Sequence, residues 1–184
     1  MKTERPFDEE LKLLKAKLLE MASRAEEQIA LAIRSLKDRE ETLACQVLER
    51  EEAINFLDIE IDEMCMRLLA LRQPMAADLR FITSAMKISG DLERIGDLAV
   101  NIAERTLDLL KGPQLKPLID IPRMALMAQE MVRDALNAFI NGDDALARDV
   151  CERDDKIDGF NNQVFRELLT YMIQDPGTIS RAVD

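Results

Sequence analysis

Apolar residues recur every three or four positions along most of the chain, a spacing that places them on one face of an α-helix. Three such stripes cover residues 11–36, 43–71 and 79–102. They are separated by the polar run KDREE at 37–41 and by the sequence RQP at 72–74. Because proline disfavours helix at the residue before it, the second helix should end at this second corner. The first part of the chain therefore predicts three long helices.

The same periodicity continues after a linker. KGPQLKP at 111–117 is the only linker-like stretch, and the stripe that follows it ends near Ile140. The sequence NGDD at 141–144 is typical of a turn with a helix N-cap, and a further stripe runs from Ala145 to about Ile173. Six glycines and six prolines in 184 residues are too few for a sheet with many turns. We expect an all-α chain with five long helices and a short start of a sixth.

The chain also repeats itself at an offset of 103 residues. Residues 29–55 align with residues 132–158, and Pro74 aligns with Pro176 past a one-residue deletion. Any two amphipathic helices align to some extent, but the shared corner and the shared proline come in the same order. We expect two tandem three-helix-bundle repeats, at 1–112 and 113–184. The second repeat is incomplete, since it contains two helices and only the start of a third.

An incomplete bundle should leave an apolar seam open, and such surfaces usually mark an interaction site or a tendency to aggregate. The chain is then either a fragment or a protein that something else completes. The expected consequences are a homo-oligomer, an exchange of segments between copies, or disorder after Pro176. The predicted seam residues are Leu136, Phe139, Val150, Ile157, Val164, Leu168 and Met172.

Charge and composition narrow the class of function. The chain has 36 acidic and 25 basic residues, a net charge of −11, which argues against nucleic acid because phosphate contacts need clustered Lys and Arg. With no histidine, catalytic triads and metal sites that require it are excluded. Three widely spaced cysteines form neither a disulfide framework nor a CxxC site. No signal peptide and no long apolar run is visible, so we expect a cytoplasmic protein that meets membranes only through its partners.

Two pairs of acidic residues stand out on the second and third predicted helices. Asp58 and Asp62 are four residues apart, as are Glu93 and Asp97, and Asn101 lies one turn further along. Like charges at that spacing repel by about 0.2–0.5 kcal/mol in an isolated helix. At about 1.5 Å per residue, an antiparallel hairpin brings the two pairs to similar heights, where a cation would relieve the repulsion. Oxygen-only ligand sets suit Mg, Mn, Ca or Fe(III).

A plainer interpretation is that these acids form a solvated face, balanced by Arg67, Arg80 and Arg94. Spacing alone favours this interpretation, because acid pairs four residues apart are common on acidic helices. The two nearby glycines, Gly90 and Gly96, would allow a neighbouring helix or a ligand to approach closely.

Two long segments resemble a known family. LALRQPMAADLRFITSAMKISGDLERIGDLAVNIAER at 69–105 and CERDDKIDGFNNQVFRELLTYMIQDPGTISRAV at 151–183 are similar to the two repeat signatures of the PhoU family of phosphate signalling accessory proteins. The similarity extends from about residue 8 to the end. Its most specific features are RQP followed by DLR, then LERIGD and NIA in that order, and LLTYMIQDPGTI. The resemblance implies two repeated three-helix bundles.

The resemblance also implies a metal site, because E/D-x-x-x-D motifs hold metal clusters in this family. The motif falls on Asp58 and Asp62 in DIEID and on Glu93 and Asp97 in ERIGD. The cofactor would be a divalent or trivalent ion, namely Fe, Mn, Mg or Zn. In the second repeat DDKID supplies only Asp154 and Asp158, so the motif there is incomplete.

By resemblance, the function is regulatory and not enzymatic. Such proteins damp the phosphate-starvation response by coupling the ATPase subunit of the phosphate ABC transporter to a sensor histidine kinase. Two alternatives stay open. One is a carboxylate-bridged metalloenzyme with phosphatase or oxidase activity, and the other is a helical oligomerisation module.

Overall fold

The computed structural model describes residues 6–183, and all regular structure in that part of the chain is helical. No strand occurs there, so the all-α prediction is confirmed. None of the helices described is both long enough and apolar enough to span a membrane. The helices are α1 (Pro6–Asp38), α2 (Glu41–Glu49), α3 (Glu51–Arg72), α4 (Ala76–Leu109), α5 (Asp120–Asn141), α6 (Asp144–Gln174) and α7 (Ile179–Val183), with a 3₁₀ turn at Pro176–Thr178.

Helix α1 lies at the centre of the molecule and packs against α2, α3, α4 and α5. Its predicted apolar stripe is the reason, since Leu14, Leu18 and Met21 are fully buried, as are Ala25 and Ala32 further along. Burying a side chain as large as leucine or methionine stabilises a fold by roughly 1.5–3 kcal/mol. The alanines leave room for neighbouring helices to approach the second half of α1.

The second predicted helix is interrupted, which the periodicity did not indicate. Arg50 separates α2 from α3. The amide of Arg50 donates to the carbonyl of Val47, and the carbonyl of Arg50 accepts from Ala53, so tight three-residue turns replace the α-helical pattern. The break redirects the chain, since α2 packs on α1 and α4 beside a separate small cluster of alanines and valines.

The corners on either side follow the sequence signals. Helix α3 ends at Arg72, and Gln73 then takes a left-handed conformation with φ of 48° before Pro74. At the later corner Gly142 is also left-handed, as expected for a glycine that ends a helix. The side chain of Asp143 accepts hydrogen bonds from the amides at 145 and 146 and so caps α6.

Helices α5 and α6 form the second half, and α5 docks onto the first half through α1. Leu136 is 4% exposed and belongs to the main core cluster, with Phe139 packed against it. The prediction of an open seam at Leu136 was therefore wrong, and so was that at Val164, which is 8% exposed. The other five predicted seam residues are half-buried. The apolar side chains that α6 does expose are Phe165, Leu169 and Ile173.

The segment after Pro176 is helical, contrary to the expected disorder. It folds back on α6, and Thr178 and Ala182 are buried. Thr178 is held by hydrogen bonds from its hydroxyl to the carbonyls of Tyr171 and Asp175. This segment therefore covers part of the second half.

Helices α3 and α4 approach closely at Gly96. A Cβ atom at this position would lie 3.0 Å from Cδ1 of Ile54, which is itself 1% exposed. At Gly90 an added Cβ would meet nothing within 4 Å. Only one of the two glycines predicted to allow a close approach does so.

We expect Gly96→Val to lower the free energy of unfolding by about 1–3 kcal/mol, because extra methyl groups would overfill the contact with Ile54. The matched variant Gly90→Ala should raise it by about 0.5–1 kcal/mol through helix propensity alone. Urea denaturation followed by circular dichroism measures both. Equal stability of the two variants would contradict the close approach.

Candidate functional site

The candidate site lies where α3 and α4 run side by side, next to the Ile54–Gly96 contact. Ser89 on α4 is 1% exposed, and its hydroxyl donates a hydrogen bond of 2.5 Å to Oδ1 of Asp58 on α3. Ser89, Glu93 and Asp97 follow one another at intervals of four, so they share one row of α4. The predicted height match between Asp58 and this row is therefore present.

Glu93 lies at the centre of the carboxylates. Partial burial raises the pKa of Glu93, and the negative charges of Asp97, Asp58 and Glu51 raise it further. These causes identify which acids surround it, and all four side chains are half-buried. The site therefore consists of two residues from each helix, held near one another against their electrostatic repulsion.

No basic side chain neutralises this group. Within residues 6–183, no Lys or Arg lies within 4.0 Å of Asp58, Glu93 or Asp97, although many other acids of the chain form such ion pairs. Arg94, one of the three arginines that the plainer interpretation expects to balance the acids, is exposed and forms no such pair. Among the described residues, these three acids therefore have no ion pair within 4.0 Å, and the plainer interpretation finds no support in close ion pairs.

The donor set agrees with a hard cation in type and in charge, since it consists of carboxylate oxygens with a buried hydroxyl beside them. As the side chains lie, however, no three Asp, Glu or Cys residues in the described part of the chain are close enough together to hold a metal ion. Binding would need side-chain rotation to bring the oxygens to one point. The metal site stays a prediction.

Four predicted ligands are not seen beside Glu93. Asp62 is exposed on α3, one turn after Asp58. Burial raises the pKa of the Cys65 thiol to about 11, and the charge of Asp62 adds to this effect. Asn101 is exposed and lines a separate groove between α1 and α4. Asp154 and Asp158 are exposed on α6, a helix that packs mainly against α5 and the C-terminal segment.

Two residues of the site were not predicted. Ser89 was detectable, because it is a polar residue one turn before Glu93 on the same row of the helix. Glu51 was not, because the break at Arg50 and the true register between α3 and α4 bring its charge near Glu93.

Comparison with known proteins places the fold and the sequence in one family. A family model described as the PhoU domain matches residues 18–106 and 121–184. The phosphate-specific transport system accessory protein PhoU homolog of Aquifex aeolicus is 41% identical over 174 residues, which are 95% of this chain and 79% of that protein. This chain belongs to the PhoU domain family.

Two crystal structures agree. PhoU from Pseudomonas aeruginosa has a TM-score of 0.91 at 40% identity, covering 96% of this chain and 85% of that one. The phosphate transport system regulatory protein PhoU from Streptococcus pneumoniae has a TM-score of 0.83 at 28% identity, covering 92% and 80%. The predicted membership of the PhoU family is confirmed. Such relatives are named as accessory or regulatory proteins, so the prediction of a non-enzymatic protein is confirmed as well.

We expect Glu93→Gln to stabilise the metal-free protein at pH 7 by roughly 0.2–0.5 kcal/mol for each like-charge pair it removes. The pKa of Glu93 in the folded chain lies above its ordinary value of 4.5, so folding favours the protonated form. That contribution is fully present below pH 4.5 and is lost as the pH rises through the folded-state pKa. The gain from the variant should therefore vanish in acid.

Thermal unfolding of both proteins between pH 4 and pH 8 in the presence of a chelator tests this. Glu104→Gln, an exposed acid on the same helix, is the control for the change in net charge. A Glu93→Gln variant that is less stable than the parent at pH 7 would show that the carboxylate has a favourable partner.

Proposed function

We propose that this protein is a regulatory accessory protein of phosphate transport that acts by binding and not by catalysis. The observation that carries the proposal is the similarity of almost the whole chain to proteins named as phosphate-specific transport accessory proteins. The sequence contains no histidine, the residue that most often serves as a general base, which agrees with a role in binding.

The partners we propose are the ATPase subunit of a phosphate ABC transporter and a sensor histidine kinase, met in the cytoplasm. Through the first the protein would sense uptake, and through the second it would damp the starvation response. The net charge of −11 supports partner surfaces rich in Lys and Arg. A homo-oligomer is a further part of the proposal, supported by the apolar side chains that α6 exposes at Phe165, Leu169 and Ile173.

We also propose that the carboxylates between α3 and α4 hold a metal ion, whether Fe, Mn, Mg or Zn. Asp58, Glu93 and Asp97 would contribute oxygens, whereas Asp62 and Asn101, which lie further along the same two helices, stay predictions. A bound cation would supply the positive charge that the group lacks. The raised pKa of Glu93 and the absence of ion pairs at these acids support this assignment. A second site at Asp154 and Asp158 stays a prediction.

The double variant Glu93→Ala/Asp97→Ala should lose metal, because it removes both acids of the α4 row. Elemental analysis of protein purified without chelator measures the metal content of each variant. Asp154→Ala/Asp158→Ala, which removes the same charge from α6, is the matched control and should retain the metal of the first site. Unchanged stoichiometry in the α4 variant would rule these residues out.

Binding to the transporter ATPase should be detectable by calorimetry with the purified subunit of a phosphate ABC transporter from the same organism. The ATPase subunit of an unrelated ABC transporter is the control and should not bind. Failure of the phosphate-transporter subunit to bind, with the helical fold intact by circular dichroism, would contradict the proposed partner.

A further inference from the structure

A small apolar cavity lies where α1, α4, the linker, α6 and α7 meet. Its volume is about 120 Å³, and both repeats contribute to its wall. In another protein an engineered apolar cavity of about 150 Å³ binds benzene, so a cavity of this size accepts a compact apolar group. The leucines that line it are Leu36, Leu109, Leu115, Leu118 and Leu168.

Two arginines lie at this cavity and reach the linker from opposite ends of the chain. Nη2 of Arg39, at the end of α1, donates to the carbonyl of Gly112 at 2.6 Å and to that of Leu109 at 3.2 Å. Nη1 of Arg181, on α7, donates to the carbonyl of Pro113 at 2.7 Å. Because Gly112 and Pro113 are consecutive, the two guanidinium groups bind neighbouring carbonyls and their positive charges lie close together.

Within residues 6–183, neither guanidinium has an acidic partner. No carboxylate of that range lies within 4.0 Å of Arg39 or Arg181, in a chain with 36 acids and 25 basic residues. Lys116, which also lines the cavity, is paired with Glu167, and Arg72 and Arg133 likewise have carboxylate partners. The carbonyls at the end of α4 carry a partial charge of about half an electron, which offsets only part of two full positive charges.

Arg39 ends α1 with φ of 57°, the left-handed conformation that glycine adopts freely where a helix ends. The amide of Glu40 donates to the carbonyl of Ser35 at 3.0 Å, so the end of α1 itself requires this conformation. The arginine side chain adds the hydrogen bonds to the linker that glycine would lack. Gly112 allows Arg181 to approach the linker closely, since a Cβ atom at Gly112 would lie 3.3 Å from Cδ of Arg181.

We propose that this cavity binds a small organic anion, with its charged group at Arg39 and Arg181 and its apolar body among the leucines. Guanidinium groups suit carboxylate and phosphoryl groups alike, because both accept paired hydrogen bonds. A bound anion would offset the two positive charges and would hold the linker, α1 and α7 together. The site is separate from the carboxylates of α3 and α4, and the proposal does not rest on the transport function.

Titration of the isotope-labelled full chain, followed by amide resonances in NMR, tests the proposal. The probes are benzoate and phenyl phosphate, with benzyl alcohol as the uncharged analogue and inorganic phosphate as the anion without an apolar body. We expect both aromatic anions to shift the resonances of Gly112, Leu115 and Ala182, and the other two probes to bind at least tenfold more weakly. The aromatic anion that binds more tightly identifies the preferred charged group.

Two variants separate charge from shape. Arg181→Gln should weaken binding of the aromatic anions at least tenfold, whereas Arg148→Gln, an exposed arginine of α6, should leave it unchanged. Ala182→Leu, which fills the cavity without changing its charge, should abolish binding, and circular dichroism checks that each variant is folded. The proposal is overturned if the aromatic anions leave the linker resonances unchanged. Equal binding to Arg181→Gln, or inorganic phosphate binding as tightly as phenyl phosphate, would overturn it as well.

Discussion

The fold depends on the continuous apolar stripe of α1. A helix of 33 residues with one face buried throughout has room for several partners, and α2, α3, α4 and α5 all pack on it. The first half of the stripe carries large side chains such as Leu18 and Met21, and the second half carries Ala25 and Ala32. Alanine fills less space than leucine, so the second half of α1 leaves room for α2 to pack on it as an additional helix. Helix α5 of the second half also packs on α1 and thereby joins the two halves.

The arrangement of the acids follows from one contact, that of Gly96 with Ile54. No side chain separates the two helices there, so the packing of Ile54 against the backbone at Gly96 helps to set their relative register, together with the other core residues of α3 and α4. That register places Ser89 against Asp58 and brings Glu51 towards the charge of Glu93. The acids are held by apolar packing beneath them and do not gather by their own attraction. A structure stabilised elsewhere can retain such repulsion, at a cost that binding of a cation would remove.

The helices were predictable because their apolar residues keep a spacing of three and four with few interruptions. The break at Arg50 was not, because Val47 and Ile54 are seven residues apart, close to two full helical turns, and no glycine or proline marks the place. The open seam at Leu136 was predicted wrongly for a different reason. Periodicity identifies an apolar face but does not say which neighbour covers it, and here the neighbour is α1 of the other repeat.

The site was predictable in part for the same reason. Equal distances from the corner at Pro74 give a fair first estimate of the register between α3 and α4. The sequence could therefore predict that Asp58, Glu93 and Asp97 lie near one another. Ile54 is 20 residues before Pro74, whereas Gly96 is 22 after it, so the true register is displaced from a symmetric hairpin. Asp62, 12 residues before the corner, then lies opposite a position about 14 after it, well short of Glu93.

The two uncompensated groups of charge have opposite sign and share one helix. Glu93 and Asp97 lie in the middle of α4, and the carbonyl oxygen of Leu109 at its end accepts a hydrogen bond from Arg39. Because α4 packs along α1, and α1 in turn packs against α5 of the other repeat, a ligand that displaced either group would act next to the contact that joins the repeats. A cation between α3 and α4 would tighten the first bundle, and an anion at the linker would tighten its connection to the second. With both ligands bound, α4 would link the two sites and would give each ligand a physical route by which to influence binding of the other.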